Sequence, residues 1–247
     1  MTGVRVLLLG GTGEAVALNR WLGDRPSVDL VTSLAGRTRL PPTLQGQVIS
    51  GGFRARGGLD AFLKEQAIDL VVDATHPFAA AMTRQAVQSC DRLGVAYVRY
   101  SRPPWDAVPG DRWIEARDMA DAAARMDGYK RIFLSVGRQE VGAFAALPGR
   151  YFLVRSVEPV AFRPGNSVVR EIRGKGPFHR EDELALLRDH RIDLVVSKNS
   201  GGAATYAKIE AARRAGVPVM VISRPALPAS REIFNMDDLA PILASFS

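Results

Sequence analysis

Two segments of the 247-residue chain begin alike and then diverge in their polar chemistry. In "IDLVVDATHPFAAAM", from Ile68, an apolar run ends in Asp73, Thr75, His76 and Pro77, with Phe78 next. In "IDLVVSKNSGGAATY", from Ile192, the same run ends in Ser197, Lys198, Asn199 and Ser200, followed by Gly201 and Gly202. His76 and Lys198 are groups able to hand over a proton, whereas a lysine beside hydroxyl and amide donors is suited to a carboxylate. Each tip follows a buried strand and precedes a helical pattern, the place where open parallel sheets bind ligands. Pro77 suits a first helical turn with His76 at the cap, and Gly201–Gly202 suit the opening of the second helix. Capping by Thr75 or His76, and a loop hydrogen bond from Asp73, are the competing uses of the first tip.

A third chemical signal opens the chain. "VLLLGGTGEAVAL" reads as strand, glycine turn and helix, in which Gly10, Gly11 and Gly13 permit a tight turn beside free helix N–H groups. The match to a dinucleotide fingerprint is partial, because Val16 stands at the third glycine position, and no Gly-Lys-Ser/Thr follows to make a Walker loop. Within this turn Gly11, Thr12, Gly13 and Glu14 are candidate cofactor-binding residues, with Thr75 of the first tip expected beside the nicotinamide end. Past the second strand, "TSLAGRTRL" offers Ser33, Gly36, Arg37 and Arg39 where an NAD-binding lobe carries a carboxylate. A hydroxyl and a guanidinium favour a 2′-phosphate, so the expected cofactor is NADPH. Gly51 and Gly52, after the expected third strand, allow a cofactor to pass close over the backbone; a plain turn explains them equally. "RGKGPFHRED" adds Lys175, Gly176 and Phe178, again basic and glycine-bearing.

The elements that must position these residues are written twice. "GGLDAFLKEQAIDLVV" parallels "HREDELALLRDHRIDLVV", and "LGVAYVRYSRP" parallels "AGVPVMVISRP". "VRVLLLGGTGEAVALNRWL" has a looser counterpart in "KRIFLSVGRQEVGAFAAL", and strand–helix tails start at Trp113 and Ile233. Apolar runs such as Val4–Leu9 and Val28–Leu34 are nearly continuous, as in parallel strands covered on both faces. The predicted fold is α/β: two similar Rossmann-like, doubly wound parallel-sheet lobes with a cleft between them. The boundary falls at 126/127, giving an NADPH-binding lobe (1–126) and a substrate-binding lobe (127–247). In so symmetric a chain the terminal strand–helix units are open to exchange.

Composition narrows the partners. The chain is 47% hydrophobic and carries a formal charge of +7, which favours anionic ligands. Its Lys and Arg are scattered rather than clustered, which argues against nucleic acid. Cys90 is the single cysteine and reads as a buried thiol, and the three histidines, His76, His179 and His190, lack zinc-ligand spacing. No apolar run approaches the ~20 residues of a membrane span, and a cytoplasmic location is expected.

GGTGEA, SLAGR, DATHPFA, GKGPF and SKNSGG together resemble the precorrin-6A reductase family of cobalamin biosynthesis, over most of the chain. The resemblance implies NADPH-dependent reduction of one double bond of precorrin-6A to give precorrin-6B. It does not separate metal-free from cobalt-containing substrates. The implied partner is a polycarboxylate corrin precursor, passed to and from neighbouring pathway enzymes. Its reacting edge is expected at Asp73, His76, Pro77 and Phe78 of one tip, and its carboxylate rim at Lys175, Lys198, Asn199, Ser200 and Gly201 of the other lobe. His76 and Lys198 are the expected proton donors, with water as a competitor. A short-chain dehydrogenase is excluded, since none of the five tyrosines has lysine four positions on. A cofactor-free tetrapyrrole protein of the uroporphyrinogen-III synthase type is the alternative; it has no use for the glycine turn or Arg37.

Overall fold

The computed structural model describes residues 3–34 and 43–246. In chain order the first elements are β1 (Val4–Leu9), α1 (Gly13–Gly23), β2 (Val28–Leu34), β3 (Gln47–Ser50), α2 (Leu59–Glu65), β4 (Leu70–Asp73), α3 (Ala80–Leu93) and β5 (Ala96–Tyr100). There follow β6 (Trp113–Ala116), α4 (Met119–Ala124), β7 (Arg131–Ser135), β8 (Tyr151–Ser156), β9 (Val168–Arg173) and α5 (Arg180–Asp189). The chain closes with β10 (Leu194–Lys198), α6 (Ala207–Ala215), β11 (Val219–Ile222), β12 (Glu232–Ile233) and α7 (Ala240–Ala244).

The strands form two parallel sheets of six, ordered β12-β5-β4-β1-β2-β3 and β6-β11-β10-β7-β8-β9. Each sheet reverses direction of growth at a central strand, β1 or β7, which is the topological switch point of a doubly wound fold. Pleating sends Val4, Val6 and Leu8 of β1 to one face, against Leu18 and Leu22 of α1 and Ile242 of α7. Leu7 and Leu9 go to the other face, against Phe62 of α2 and Ala86 of α3. Burial on both faces is why β1 reads as a continuous apolar run. In the second sheet Phe133, Leu153 and Val195 meet Leu184 and Leu187 of α5 and Ile209 of α6. The repeated glycine of "LGVAYV" and "AGVPVM" ends α3 and α6 in the left-handed conformation, at Gly94 and Gly216, both with φ +67°.

The boundary expected at 126/127 is corrected. One unit runs to Arg102 and resumes at Ala226; the other covers Pro103–Pro225. β6 leaves the first half to pair with β11, and β12 leaves the second half to pair with β5. The repeated serines join these pairings alike: Ser101 N–H donates to Ile233 O (2.9 Å) and Ser223 N–H to Ala116 O (2.8 Å). Equivalent edges accept either tail, so local pattern does not decide between them. A second difference lies after β7, where the counterpart of α1 is only a 3-10 turn, Val141–Phe144. Gly142 and the approaching Pro148 disfavour a longer helix there.

Candidate active site

In the first unit Leu9, Ser33 and Asp73 stand in one row across β1, β2 and β4, and the glycine turn rises from this row. Gly10 N–H donates to Ser33 O at 2.9 Å, and Gly11 takes φ +119°, a conformation that favours glycine. Thr12 caps α1, its Oγ1 accepting Ala15 N–H (3.1 Å) and donating to Ala74 O (2.9 Å), which ties the turn to the β4 tip. Among the described residues, none comes within 4 Å of a Cβ added at Gly11 or Gly13. The two glycines therefore line open space at a helix N-terminus, a cradle into which added Cβ atoms would project and which suits a pyrophosphate. Gly51 (φ +91°) and Gly52 (φ +72°) also face open space; their left-handed backbone alone accounts for glycine. Ser33 is buried. Gly36, Arg37 and Arg39 lie outside the described residues.

Glu14, in the first turn of α1, is bound by Arg102 at 2.5 Å. Burial works to raise its pKa, but the Arg102 hydrogen bond, its own backbone N–H, the Arg102 charge and the Thr12 hydroxyl together hold the carboxyl below its ordinary value. Close by, the Oγ1 of Thr75 and the Oγ of Ser101 are buried with no hydrogen-bond partner. They line a small cavity with Thr12, Glu14 and Arg102. Two such hydroxyls are costly unless a ligand or a water completes them.

The β4 tip departs from expectation. Asp73 is fully buried: Oδ1 accepts Thr75 N–H (2.9 Å), and Oδ2 accepts the hydroxyls of Thr83 (2.7 Å) and Tyr97 (2.9 Å). The geometry does not favour the expected role of Asp73 in substrate binding, because its carboxylate is buried toward α3 with both oxygens hydrogen-bonded within the fold. Burial first, and then the Asp73 charge, push the Tyr97 phenol far up, so it remains a neutral donor. His76 does not cap α3, which starts at Ala80. Instead Ala79 N–H donates to His76 O (2.7 Å) in a turn over Pro77 and Phe78, and Phe78 N–H donates to His76 Nδ1 (3.2 Å). Nδ1 as acceptor assigns the ring proton of neutral His76 to Nε2. Pro77 is buried; His76 and Phe78 are half-buried.

In the second unit Lys198 is anchored, its Nζ 3.1 Å from Glu140 Oε1. A Cβ on Gly137, the counterpart of Gly11, would sit 3.3 Å from Glu140 Oε2 and 3.7 Å from Lys198 Nζ. The space open over the first glycine turn is thus occupied here. Asn199 pairs with backbone, its Oδ1 accepting Trp105 N–H (2.8 Å) and its Nδ2 donating to Trp105 O (2.9 Å). Ser200 N–H donates to Lys198 O at 2.8 Å. Gly201 (φ +69°) is buried, and α6 starts only at Ala207, so Gly201–Gly202 do not open it. Lys175 is exposed on a loop packed closely against this tip: Phe178 N–H donates to Ala204 O (3.2 Å), and a Cβ on Gly176 would fall 2.7 Å from that oxygen. Arg155, over the Phe178 ring at 4.0 Å, makes a buried bidentate pair with Glu183 (2.6 and 2.9 Å) that supports the loop.

Sequence reasoning missed Arg102, Glu140 and Arg224, which binds the carbonyls of Asn199 (3.0 Å) and Ser200 (3.3 Å). The repeated Ser-Arg-Pro was the available signal for both arginines. Among the described residues no group of three or more His, Cys, Asp or Glu is placed to hold a metal ion, and no helix is long and apolar enough to cross a membrane.

Comparison with known proteins extends these observations to the whole chain. Over 97% of its length the chain is 47% identical to a precorrin-6A reductase of Rhodococcus erythropolis, covering 96% of that protein. It is 32% identical to a cobalt-precorrin-6A reductase of Salmonella typhimurium, over 89% of this chain and 87% of that one. A solved structure titled CobK precorrin-6A reductase superposes with a TM-score of 0.89 at 39% identity, covering 98% of this chain and 96% of that one. The family model described as Precorrin-6x reductase CbiJ/CobK matches residues 5–245, and the chain belongs to that family.

Proposed function

We propose that the protein is a precorrin-6A reductase that uses NADPH and releases precorrin-6B. The observation that carries the cofactor reading is the open space over Gly11 and Gly13, set against the filled mouth of the equivalent turn at Gly137. The first unit then binds the cofactor, with the backbone of Gly11–Glu14 at the pyrophosphate and with Ser33, Gly36 and Arg37 selecting the 2′-phosphate. When bound, NADPH supplies a hydride to one double bond of the macrocycle, and a proton completes the reduction. His76 is the candidate donor of that proton; to give one, the ring must first take up a proton at Nδ1, the nitrogen that accepts Phe78 N–H in its neutral form. Lys198, held by Glu140, serves better as a fixed cation for a substrate carboxylate than as an acid. Lys175 and Ser200 add a charge and a donor to the same rim.

The metal-free substrate is favoured by the greater identity to the precorrin-6A reductase than to the cobalt-precorrin-6A reductase. A cofactor-free lyase has no use for the open turn, and membership of a reductase family removes that alternative. The test is a fluorescence titration with NADPH and, in parallel, NADH, followed by turnover of precorrin-6A. Preference for NADPH that Arg37→Ala abolishes supports the reading. Equal losses of NADPH and NADH affinity in Arg37→Ala would remove its 2′-phosphate role, and no binding with macrocycle present would remove the cofactor.

A further inference from the structure

We infer that Arg102 is a positioning residue for cofactor binding: by neutralising Glu14 it makes the first turn of α1 receptive to a pyrophosphate. The inference rests on the cofactor reading above and adds to it an acid–base pair that the glycine motif does not specify. Glu14 stands one residue after Gly13, where α1 begins. Its carboxylate belongs to the first turn of the helix, where the unpaired N–H groups and the helix dipole favour negative charge. A carboxylate there stabilises the helix, but it competes with and repels the anion that the turn is shaped to hold.

Arg102 removes that conflict. Its guanidinium reaches Glu14 across 88 residues of sequence, and both side chains are largely shielded from solvent, at 17% and 29% exposure. The arginine follows Ser101, whose N–H donates to Ile233 O, so the sheet edge fixes the backbone from which it reaches. The second unit shows what happens when the cation comes from elsewhere. Glu140, the counterpart of Glu14, is neutralised by Lys198 from the β10 tip, and the ammonium then lies over Gly137. Arg224, the counterpart of Arg102, is turned to backbone carbonyls instead. In the first unit the charge is supplied from the end of β5, and the space over Gly11 stays open.

The experiment is NADPH titration of the wild type, Arg102→Gln, Arg102→Lys and the double variant Glu14→Gln/Arg102→Gln at low ionic strength. An uncompensated unit charge ~6 Å from a phosphate, at an effective dielectric of about 20–40, weakens binding roughly ten- to hundredfold, which is the loss expected for Arg102→Gln. The double variant recovers most of that loss, and Arg102→Lys retains most of the affinity. Arg102→Gln binding like the wild type overturns the inference. So does a double variant as weak as the single one, which would make Arg102 a direct ligand or a purely structural residue. If Arg102→Gln fails to fold, Arg102→Lys against the double variant decides: either one folded yet weak overturns the role in charge compensation. A wild type that binds no NADPH fails the cofactor reading itself, an outcome visible before any variant is made.

Discussion

Asp73 gives the sharpest test of how the β4 tip is built. Its carboxylate is fully buried and accepts three hydrogen bonds, from Thr75 N–H (2.9 Å), Thr83 (2.7 Å) and Tyr97 (2.9 Å). Asp73→Ala leaves three donors facing a void; each hydrogen bond to a charged group contributes about 1.5–3 kcal/mol net. Against that sum stands relief of the cost of burying the charge, so the expected net loss is about 3–4 kcal/mol. Asp73→Asn keeps an oxygen for Thr75 N–H and turns its amide toward two hydroxyls that can rotate to accept, for a loss of about 1–2 kcal/mol. Native-state hydrogen exchange of β1 and β4 amides reads these losses in the first unit alone. Turnover of folded Asp73→Asn should show a substrate KM within about twofold of the wild type, since a positioning carboxylate makes no substrate contact. Equal losses for the two variants would refute the assigned hydrogen bonds. A raised KM with unchanged stability would restore the carboxylate to the substrate.

Gly13→Ala should leave stability nearly unchanged, because the position begins a helix and the added methyl meets no described residue within 4 Å. It should nevertheless weaken NADPH binding about tenfold by filling the cradle, whereas Gly11→Ala at φ +119° should also destabilise the fold by about 1–2 kcal/mol, as thermal melts of the two would show. Lys198→Ala should raise the KM for precorrin-6A about tenfold and leave NADPH affinity intact, as expected for a lost charge-assisted contact; unchanged kinetics would remove its rim role. Burial, reinforced by Asp91, Asp60 and Asp73, pushes the Cys90 thiol up to about 12. The folded state thus holds this proton more tightly than the unfolded chain, and its contribution to stability is complete below about pH 8.5 and lost progressively as pH rises toward the folded value. A disulfide reagent at pH 8 should label Cys90 only at the rate of unfolding; prompt labelling of native protein would contradict the burial.

The strands and the duplication were legible because they depend on local pattern. A strand buried on both faces must be apolar throughout, and a copied scaffold repeats its phrases. Even the aim of Asp73 could have been found, since it shares pleat parity with Val71, which packs in the cluster that includes Ala86 and Cys90 of α3. What escaped were pairings set by the closed fold. Glu14 meets Arg102 from 88 residues away and Asn199 meets Trp105 from 94, and neither separation leaves a periodic trace. The exchange of β6 and β12 was open in the sequence but not decided by it: two similar edges accept either tail, so the choice is made by the whole chain rather than by either strand.

The duplication also explains how one scaffold came to hold two different tips. Both units retain an acid just past the first strand, Glu14 and Glu140, and an acid at a turn mouth calls for a cation. With the cation supplied by Arg102 at the end of β5, the β4 tip needs no cation of its own, and Ala74, at the position equivalent to Lys198, offers its carbonyl to Thr12. With it supplied by Lys198 from the β10 tip, the mouth is filled, and Gly137 has an ammonium where Gly11 has open space. On the proposed cofactor reading, the source of one counter-charge decides which turn can admit a dinucleotide. It follows that Lys198→Ala alone should not convert the second turn into a cofactor site, because Glu140 would remain there uncompensated and would repel the phosphates. Equilibrium titration of Lys198→Ala should therefore still give one NADPH per chain, and a second site appearing in that variant would show that the ammonium, rather than the balance of charge, was what closed the turn.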